Sequence, residues 1–237
     1  MNNDLEKRTH AKSNNSLKAL TPVLKRWIEL VERYCAHDPE DACYWYNERA
    51  SLSVLAAAAW SNSNWIALEE FSTKKTGNFR DRETGKIKDN AGRCDLYIAS
   101  RNGKAQFAIE AKQAWQPLGN RVDNNLGNVR EELEDAKKDA RALSASEATR
   151  RLALTICVPS INSRTLSQHI KKGESLDFLL KKWIDQIEEK IKPDAIAYAF
   201  PKKASALKSL HNERTFPGVV LLFQEVKKGK RISKKES

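Results

Sequence analysis

The most constraining feature of this sequence is a pair of short alternating segments around Asn102-Gly103, in the run RCDLYIASRNGKAQFAIEAK at residues 93–112. Asn-Gly favours a two-residue hairpin turn, because both central positions of that turn need φ > 0. If Arg101 and Lys104 flank the turn, the numbers of facing residues sum to 205. A slip by one residue would expose the apolar face to water, so the sequence predicts one register. That face consists of Leu96, Ile98, Phe107 and Ile109.

The opposite face of the predicted hairpin carries charged residues. Asp95 faces Glu110 in this register, and Lys112 projects from the same face two residues further on. Two carboxylates opposite each other destabilise a sheet by about 0.2–1 kcal/mol unless water or a cation separates them. Two interpretations follow: the solvated face of an amphipathic hairpin, or a pair of acids that binds a cation.

Composition indicates a basic protein of one domain with a polyanionic partner. The 237 residues are enough to bury a hydrophobic core. Lysine and arginine number 42 against 31 acids, and this net charge of +11 favours nucleic acid over a membrane surface. The longest uncharged apolar stretch, residues 50–60, is too short to span a bilayer, and no apolar signal segment is visible at the N-terminus.

Cysteines and histidines indicate neither structural zinc nor a catalytic triad. The four cysteines form no CxxC pair, and Cys94 and Cys157 lie in apolar strand-like runs where a thiol acts as a small hydrophobe. The four histidines are scattered and lack a neighbouring nucleophile motif. A reducing, cytoplasmic setting fits this pattern best.

Hydrophobic periodicity predicts alternating helices and strands along the chain. The predicted helices span residues 17–34, 41–60 (capped by Asp41), 129–143 and 176–191. Besides the hairpin, the predicted strands span residues 65–71, 151–158, 195–200 and 219–226. The nearly all-apolar strand at 151–158 is expected at the centre of a sheet, covered on both faces. The predicted irregular segments are a mobile N-terminus at 1–16, a basic loop at 72–92 and an Asn- and Gly-rich loop at 116–128.

Between residues 41 and 158 the predicted order is helix, three strands, helix and strand, and Asp-x14-Glu-x-Lys spans the second and third strands. With these residues the chain resembles the PD-(D/E)XK nuclease superfamily. The matching residues are Asp95 in CDL and Glu110 and Lys112 in IEAK, with Cys94 where the family often has proline. The resemblance implies an α/β, restriction-endonuclease-like αβββαβ core with a mixed central sheet flanked by helices, extended by C-terminal strands and a helix.

This resemblance divides the chain into four parts around one core. The predicted parts are a polar segment and helix at 1–40, the PD-(D/E)XK-like core at 41–160, an extension of the same domain at 161–226, and a basic tail at 227–237. The tail is expected to act as an electrostatic arm.

The resemblance also implies a metal-dependent active site. Asp95, Glu110 and the carbonyl of Ala111 would bind Mg²⁺ or Mn²⁺, because hard cations take oxygen ligands. Such an ion lowers the pKa of a bound water and stabilises charge on a phosphodiester. Lys112 would orient the attacking water or neutralise the phosphate. Cleavage would leave a 5′-phosphate.

Many superfamily members use a further acid on the first core helix, and Glu48 is the matching residue here. A glutamate on an inward-facing stripe costs free energy unless it has a partner. A structural alternative is an ion pair with Arg49 or Arg93. Two rivals for the catalytic role lie on the following strand: Glu69 and Glu70.

Basic residues near the hairpin are predicted to bind the phosphate backbone of a nucleic acid. They lie just before Asp95 in sequence: Lys74, Lys75, Arg80, Arg82, Lys86 and Lys88. A second basic patch, or else a solvated helix face, consists of Lys137, Lys138 and Arg141. Gln113 carries little weight as a phosphate ligand, and Trp115 either stacks on a base or anchors the core.

The function predicted from these residues is that of a metal-dependent endonuclease, with DNA favoured as the substrate. Two other functions stay open: a nuclease-like fold that binds nucleic acid without cleaving it, and a protein-interaction accessory module. A homodimer would suit cleavage of both strands, although no segment indicates an interface.

Overall fold

The apolar run predicted as a central strand forms β5 (Arg150–Asn162), in which residues 151–161 are all buried. Strand β4 (Gln106–Pro117) pairs with β5 in parallel on one side, and β8 (Val219–Glu225) pairs antiparallel on the other. Both faces of β5 are covered, which is why nearly every residue in it is apolar. The prediction for this strand is confirmed.

The computed structural model describes residues 5, 7–38, 40–80, 87–119, 126–144, 148–204, 207–209 and 213–226, with the backbone alone at 74, 76–80 and 87–91. The protein is α/β, with an eight-stranded mixed sheet ordered β1-β6-β8-β5-β4-β3-β2 and a short β7 paired to β5. The remaining strands are β1 (Thr9–Ser13), β2 (Trp65–Arg80), β3 (Ile87–Ser100), β6 (Ala195–Ala199) and β7 (Arg214–Thr215).

Helices cover both faces of this sheet. They are α1 (Thr21–His37), α2 (Glu48–Trp60), α3 (Gly127–Ala142), α4 (Ser163–Lys171) and α5 (Leu176–Lys190). One core lies between α1, α2 and the sheet, with Trp27 and Leu55 packed against Ile98 and Phe107. A second core joins α5 and the start of α3 to the other face. Within the described residues, no helix is long and apolar enough to cross a membrane.

Helix α2 begins seven residues later than predicted. Its N-cap is Asn47, whose side chain accepts a hydrogen bond of 3.0 Å from the Ala50 N–H. The predicted cap, Asp41, instead accepts hydrogen bonds of 2.7 Å from the hydroxyls of both Tyr34 and Tyr46. These phenols hold the segment before α2 outside the helix, and the prediction for Asp41 is therefore wrong.

The β3–β4 hairpin has the predicted register but a different turn. Facing pairs from Leu96–Ile109 to Ala99–Gln106 all have numbers that sum to 205. The loop contains four residues, because the Ser100 N–H bonds the Ala105 carbonyl and the Gly103 N–H bonds the Ser100 carbonyl, each at 2.8 Å. Only Gly103 has a positive φ (69°), so the two-residue turn is wrong. The predicted register is nevertheless correct, because the predicted two-residue turn and the observed four-residue loop are both centred on Asn102-Gly103.

The predicted basic loop at 72–92 is instead mostly a two-stranded ribbon. Strands β2 and β3 stay paired from Ser72–Arg93 to Thr76–Asp89, and again at Arg80–Ile87 after an irregularity. The segment lacks apolar alternation, the pattern from which a half-buried strand is predicted. Residues 81–86 lie outside the described residues.

The N-terminal segment, predicted to be polar and mobile, contributes β1 to the sheet. This strand pairs antiparallel with β6 over all five of its residues. The ion pair between Arg8 and Asp177, at 2.5 Å, adds a contact to α5. Backbone hydrogen bonds to β6 order this polar segment without an apolar pattern, so the prediction of mobility is wrong for residues 9–13. Helix α4 was also not predicted.

Candidate active site

The candidate site lies where β3 and β4 separate. Their registered pairing ends at Leu96–Ile109, whereas β4 continues to Pro117 with β5 as its neighbour. The edge of β4 beyond Ile109 therefore faces no registered strand within the described residues. Backbone N–H groups on such an edge need other acceptors, because an unpaired buried donor costs free energy.

A distortion in β2 and β3 accompanies this separation. Glu70 has a φ of 53° and interrupts the regular pairing of β2 with β3 at the position opposite Asp95. Positive φ is uncommon for a residue with a side chain. Just before Asp95, Cys94 packs with Ala108 on the face covered by the end of α3. Asp95 thus lies at the point where the regular sheet ends.

Carboxylates take the place of the missing strand along this edge. The Ala111 N–H donates a hydrogen bond of 2.8 Å to Asp95 Oδ2. The Gln113 N–H interacts with the carboxylate of Glu48 and lowers its pKa. Alternate residues of a strand direct their N–H groups to the same edge, as do the N–H and carbonyl of one residue. The Ala111 carbonyl therefore points to the edge occupied by Asp95.

Glu110 is the most buried acid of the site, with 1 % of its surface exposed. Lys75 Nζ lies 3.0 Å from both of its carboxylate oxygens but forms a hydrogen bond with Oε2 alone. Oε1 is buried and has no hydrogen-bond partner. Burial raises the pKa of Glu110 to about 8, Asp95 contributes in the same direction, and Lys75 opposes the shift.

Glu48 is the first residue of α2 and lies near both Asp95 and Lys112. Burial raises the pKa of Glu48 to about 7, and the negative charge of Asp95 adds to the shift. The two arginines considered as structural partners both pair with Glu70, Arg49 at 3.3 Å and Arg93 at 3.4 Å. Glu48 therefore lies with Asp95 and Lys112 and is not held in an ion pair with Arg49 or Arg93.

The two rivals of Glu48 are engaged elsewhere. Glu69 is exposed and accepts a hydrogen bond of 2.9 Å from Ser53 on α2. Glu70 holds the two arginines described above, so its charge is balanced outside the site.

Lys112 connects the strand edge to α3. Its Nζ lies 2.7 Å from Asp139 Oδ2. Burial lowers the pKa of Lys112, but Asp139, Glu48 and Asp95 outweigh this effect and raise it above its ordinary value. Lys112 is therefore an ammonium group throughout the neutral range. Sequence reasoning did not find Asp139; the available signal was its place beside Ala136 and Ala140, which face the sheet.

The charges of the cluster do not balance. Five carboxylates and two ammonium groups lie within electrostatic reach of one another, so the site carries an excess of three negative charges when all are ionised. These groups are Glu48, Asp95, Glu110, Glu132, Asp139, Lys75 and Lys112. Within the described part of the chain, no group of three or more Asp, Glu, His or Cys side chains is arranged to hold a metal ion. A cation here would therefore be bound by two carboxylates and a carbonyl, with water completing its shell.

The structure describes few of the predicted phosphate-binding side chains. Lys75 contacts Glu110 rather than projecting alone from the ribbon. Lys74, Arg80 and Lys88 lie in β2 and β3 with only their backbone described, while Arg82 and Lys86 lie outside the described residues, as does the tail from 227. In the second basic patch, Lys137 pairs with Glu134 at 2.7 Å. Phosphate binding by these residues stays a prediction.

Comparisons with protein-family models, with curated proteins and with solved structures find no match to this chain. The chemistry of the site is therefore inferred from its own residues. Glu48 and Asp95 lie at the open edge of β4, Glu110 pairs with Lys75, and Lys112 pairs with Asp139.

Proposed function

We propose that this protein is a metal-dependent nuclease that hydrolyses phosphodiester bonds, with DNA as the favoured substrate. One observation carries the proposal: Glu48, Asp95 and Glu110 converge with Lys112 at an open strand edge, where carboxyl groups outnumber ammonium groups. Buried acids with raised pKa values and a specific charged neighbour are typical of functional sites. The net charge of +11 favours a polyanionic substrate.

The element order supports a restriction-endonuclease-like core. Helix α2, strands β2, β3 and β4, helix α3 and strand β5 follow one another, and β2 to β5 are neighbours in the sheet. Asp95 lies on the second of these strands and Glu110 and Lys112 on the third, as in the family motif. We therefore extend the proposal to the PD-(D/E)XK superfamily.

The residues present fit a divalent cation at one place. Glu110 Oε1 is buried and accepts no hydrogen bond, although the Lys75 ammonium lies 3.0 Å from it and would have to move aside for an ion. Asp95 and the Ala111 carbonyl meet at the same strand edge. These three groups would hold Mg²⁺ or Mn²⁺. When bound, the ion would supply a Lewis acid and lower the pKa of a coordinated water.

The other residues of the site have roles that follow from their charge. Lys112 is held as an ammonium by Asp139 and stabilises negative charge on a phosphate at the strand edge. Glu48, whose pKa is about 7, can accept a proton near neutral pH, which suits it to act as a general base. None of these groups needs to form a covalent bond to the substrate.

One contact favours the second candidate function, a nuclease-like fold that binds nucleic acid without cleaving it. The ammonium of Lys75 lies on Glu110, where a metal ion would otherwise neutralise the carboxylate. A permanent Lys75–Glu110 pair would complete the charge balance of Glu110 without metal. Cleavage assays distinguish the two functions directly.

The test is cleavage of supercoiled, linear and single-stranded DNA with Mg²⁺ or Mn²⁺. We expect Asp95→Ala, Glu110→Gln and Lys112→Ala each to lower the rate at least about 100-fold, because each removes a group that acts on the reacting phosphate. Two matched controls, Glu29→Gln on α1 and Lys104→Met in the hairpin loop, should cleave like the wild type.

Equal rates in the wild type and the three site variants would contradict the assignment of the site. Metal binding provides a second readout, since an ion that binds only the folded protein raises its melting temperature. Mg²⁺ should raise the melting temperature of the wild type more than that of Glu110→Gln. DNA binding with no cleavage and no shift by metal would support the second function.

A further inference from the structure

An aromatic cleft of about 610 Å³ lies beside the candidate active site. Its volume falls within the range of small-molecule pockets, roughly 300–1,000 Å³. Trp45 comes from the segment before α2, Trp115 from the end of β4, and Phe216 from the segment before β8. Leu207, Lys208 and Glu40 complete most of the wall. None of these residues belongs to the catalytic cluster.

The three aromatic rings meet edge to face and leave ring surface available to a ligand. Trp45 and Trp115 each contact Phe216, with centroid distances of 5.9 and 5.6 Å and interplanar angles of 65° and 87°. No two of these rings are stacked face to face. Trp115 is 38 % exposed, which is high for so large an apolar side chain at the end of a strand.

The polar groups of the cleft suit a planar heterocycle better than an aliphatic ligand. The indole Nε1 of Trp45 is fully buried and presents no donor to the cleft, so the exposed polar groups of the wall are those of Lys208 and Glu40. Lys208 is exposed, and no carboxylate of the described residues forms an ion pair with it. Glu40 adds an acceptor at the wall.

The cleft and the catalytic cluster share two elements. Trp115 follows Lys112 by three residues on β4, a distance of about 10 Å along a strand. The two side chains leave opposite faces of β4, so a nucleic-acid strand that contacts both would cross the open edge. Trp45 precedes Glu48 by three residues. The Gln113 side chain ties the two segments together, since its Nε2 donates a hydrogen bond of 3.4 Å to the Tyr44 carbonyl.

We propose that this cleft binds an unstacked nucleobase of single-stranded DNA, a few nucleotides from the bond that is cleaved. Aromatic side chains bind single strands because every base has a π-face, and Trp115 supplies such a surface. Bases in a duplex are stacked and paired, so they cannot enter the cleft without being extruded. The proposal rests on the proposed function for the position of the cleaved bond, which would lie near Lys112.

The test uses the full chain with Glu110→Gln in EDTA, so that binding is measured without cleavage. The probes are a fluorescent ten-nucleotide oligothymidine, an abasic strand of equal length, and a duplex, at one fixed salt concentration. We expect oligothymidine to bind at least about 10-fold more tightly than the abasic strand, since stacking of one base on an aromatic side chain contributes this much.

Variants of the cleft then show which residues cause the preference for oligothymidine over the abasic strand. Trp115→Ala should abolish most of the difference between the two single strands and change duplex binding little, and Trp45→Ala should weaken oligothymidine binding a few-fold by removing an aromatic ring from the wall. Trp60→Ala is the matched control, because Trp60 is 61 % exposed at the end of α2 and does not line the cleft. Melting temperatures verify that each variant is folded.

Equal binding of oligothymidine and the abasic strand by the protein with intact tryptophans would overturn the proposal, and this measurement needs no folded variant. A preference that Trp60→Ala removes and Trp115→Ala leaves would overturn it as well. Base-dependent binding lost with Trp115 would support the cleft even if the wild type cleaved no DNA. The cleft and the nuclease activity can therefore fail separately.

Discussion

The two ends of the β3–β4 pair differ in how they satisfy the same backbone. Toward the hairpin loop, Ile98 faces Phe107 in a regular ladder, and both side chains are buried beneath α1 and α2. Toward the other end the ladder stops, and the Ala111 N–H donates to the carboxylate of Asp95 instead of to a carbonyl of β3. One end is apolar and paired, and the other is charged and open.

This difference shows how a fold can gather acids without a loop to carry them. A buried N–H requires an acceptor, and a carboxylate oxygen is a stronger acceptor than a carbonyl oxygen. When carboxylates replace the neighbouring strand as acceptors, the N–H groups of β4 are still hydrogen-bonded, and negative charge is brought to this edge. The cost is burial of charged groups, to which mutual repulsion adds, and together they raise the pKa values of Glu48 and Glu110.

The largest expected effect is on stability, at the paired end. Phe107 is 1 % exposed and stacks on Trp65 with ring centroids 6.3 Å apart. Phe107→Ala should lower the free energy of unfolding by about 3–5 kcal/mol, because it removes a buried ring and leaves a cavity. Urea denaturation measures this loss. Leu68→Ala on β2 is the control, since Leu68 is 56 % exposed and its truncation should change stability by at most about 0.5 kcal/mol.

A loss below about 1 kcal/mol for Phe107→Ala would mean that the paired end does not depend on its apolar face. The register argued from that face would then lose its main support.

The acids at the open end should lower the free energy of unfolding as the pH rises. An ordinary ion-paired acid, whose pKa is lowered by folding, has the opposite effect. The pKa values of Glu48 and Glu110 are raised from 4.5 to about 7 and about 8 in the folded protein, so the folded state binds more protons than the unfolded state in this window. The contribution of these two acids to stability therefore falls as the pH rises from about 4.5 to about 8. Denaturation in EDTA at several pH values measures this slope.

Glu110→Gln sharpens the test because glutamine keeps the shape of the side chain but does not titrate. The variant should show a shallower fall in stability between pH 4.5 and 8, and it should be more stable than the wild type at pH 8. Glu29→Gln, on the exposed surface of α1, should keep the wild-type slope. If Glu110→Gln instead has the same slope as the wild type, the ionised Glu110 is not destabilised by its burial or by the neighbouring acids.

The paired end was predictable from sequence because its signals are local. Four apolar residues alternate about one Asn-Gly, and any loop centred on that dipeptide produces the same facing pairs. Strand β5 was predictable for a similar reason, since burial on both faces leaves an unbroken apolar run. The hairpin register placed Asp95 and Glu110 on one face, whereas their catalytic role and the match to Glu48 followed from the family motif.

The ion-pair partners of Glu110 and Lys112 were not predictable, because they come from distant parts of the chain. Lys75 reaches Glu110 since the ribbon of β2 and β3 extends past the end of the regular ladder. Asp139 reaches Lys112 since α3 crosses that face of β4. The Lys75 contact leaves no pattern in the sequence around it, and the place of Asp139 beside Ala136 and Ala140 indicates that it borders the buried face of α3 but not that it pairs with Lys112. Strand β1 was missed for a related reason, because its pairing with β6 depends on backbone hydrogen bonds that polar residues also form.

The smallest expected effect is at the tip of the hairpin. Gly103 has a φ of 69°, and a Cβ added there would meet no atom within 4 Å, so the cost of a side chain is conformational rather than steric. Gly103→Ala should lower the free energy of unfolding by about 1–2 kcal/mol, whereas Gly103→Asn should cost less because asparagine tolerates this conformation better. Urea denaturation measures both, with Lys104→Ala as a neighbouring control.

Cleavage should be unchanged in all three loop variants, because Ser100 and Ala105 still close the loop and keep the register. The outcome that would break the comparison is a loss of cleavage in Gly103→Ala with little loss of stability. The position of Asp95 would then depend on the loop, whereas the described contacts make it depend on the ladder between Leu96 and Ile109 and on the Ala111 N–H beyond it.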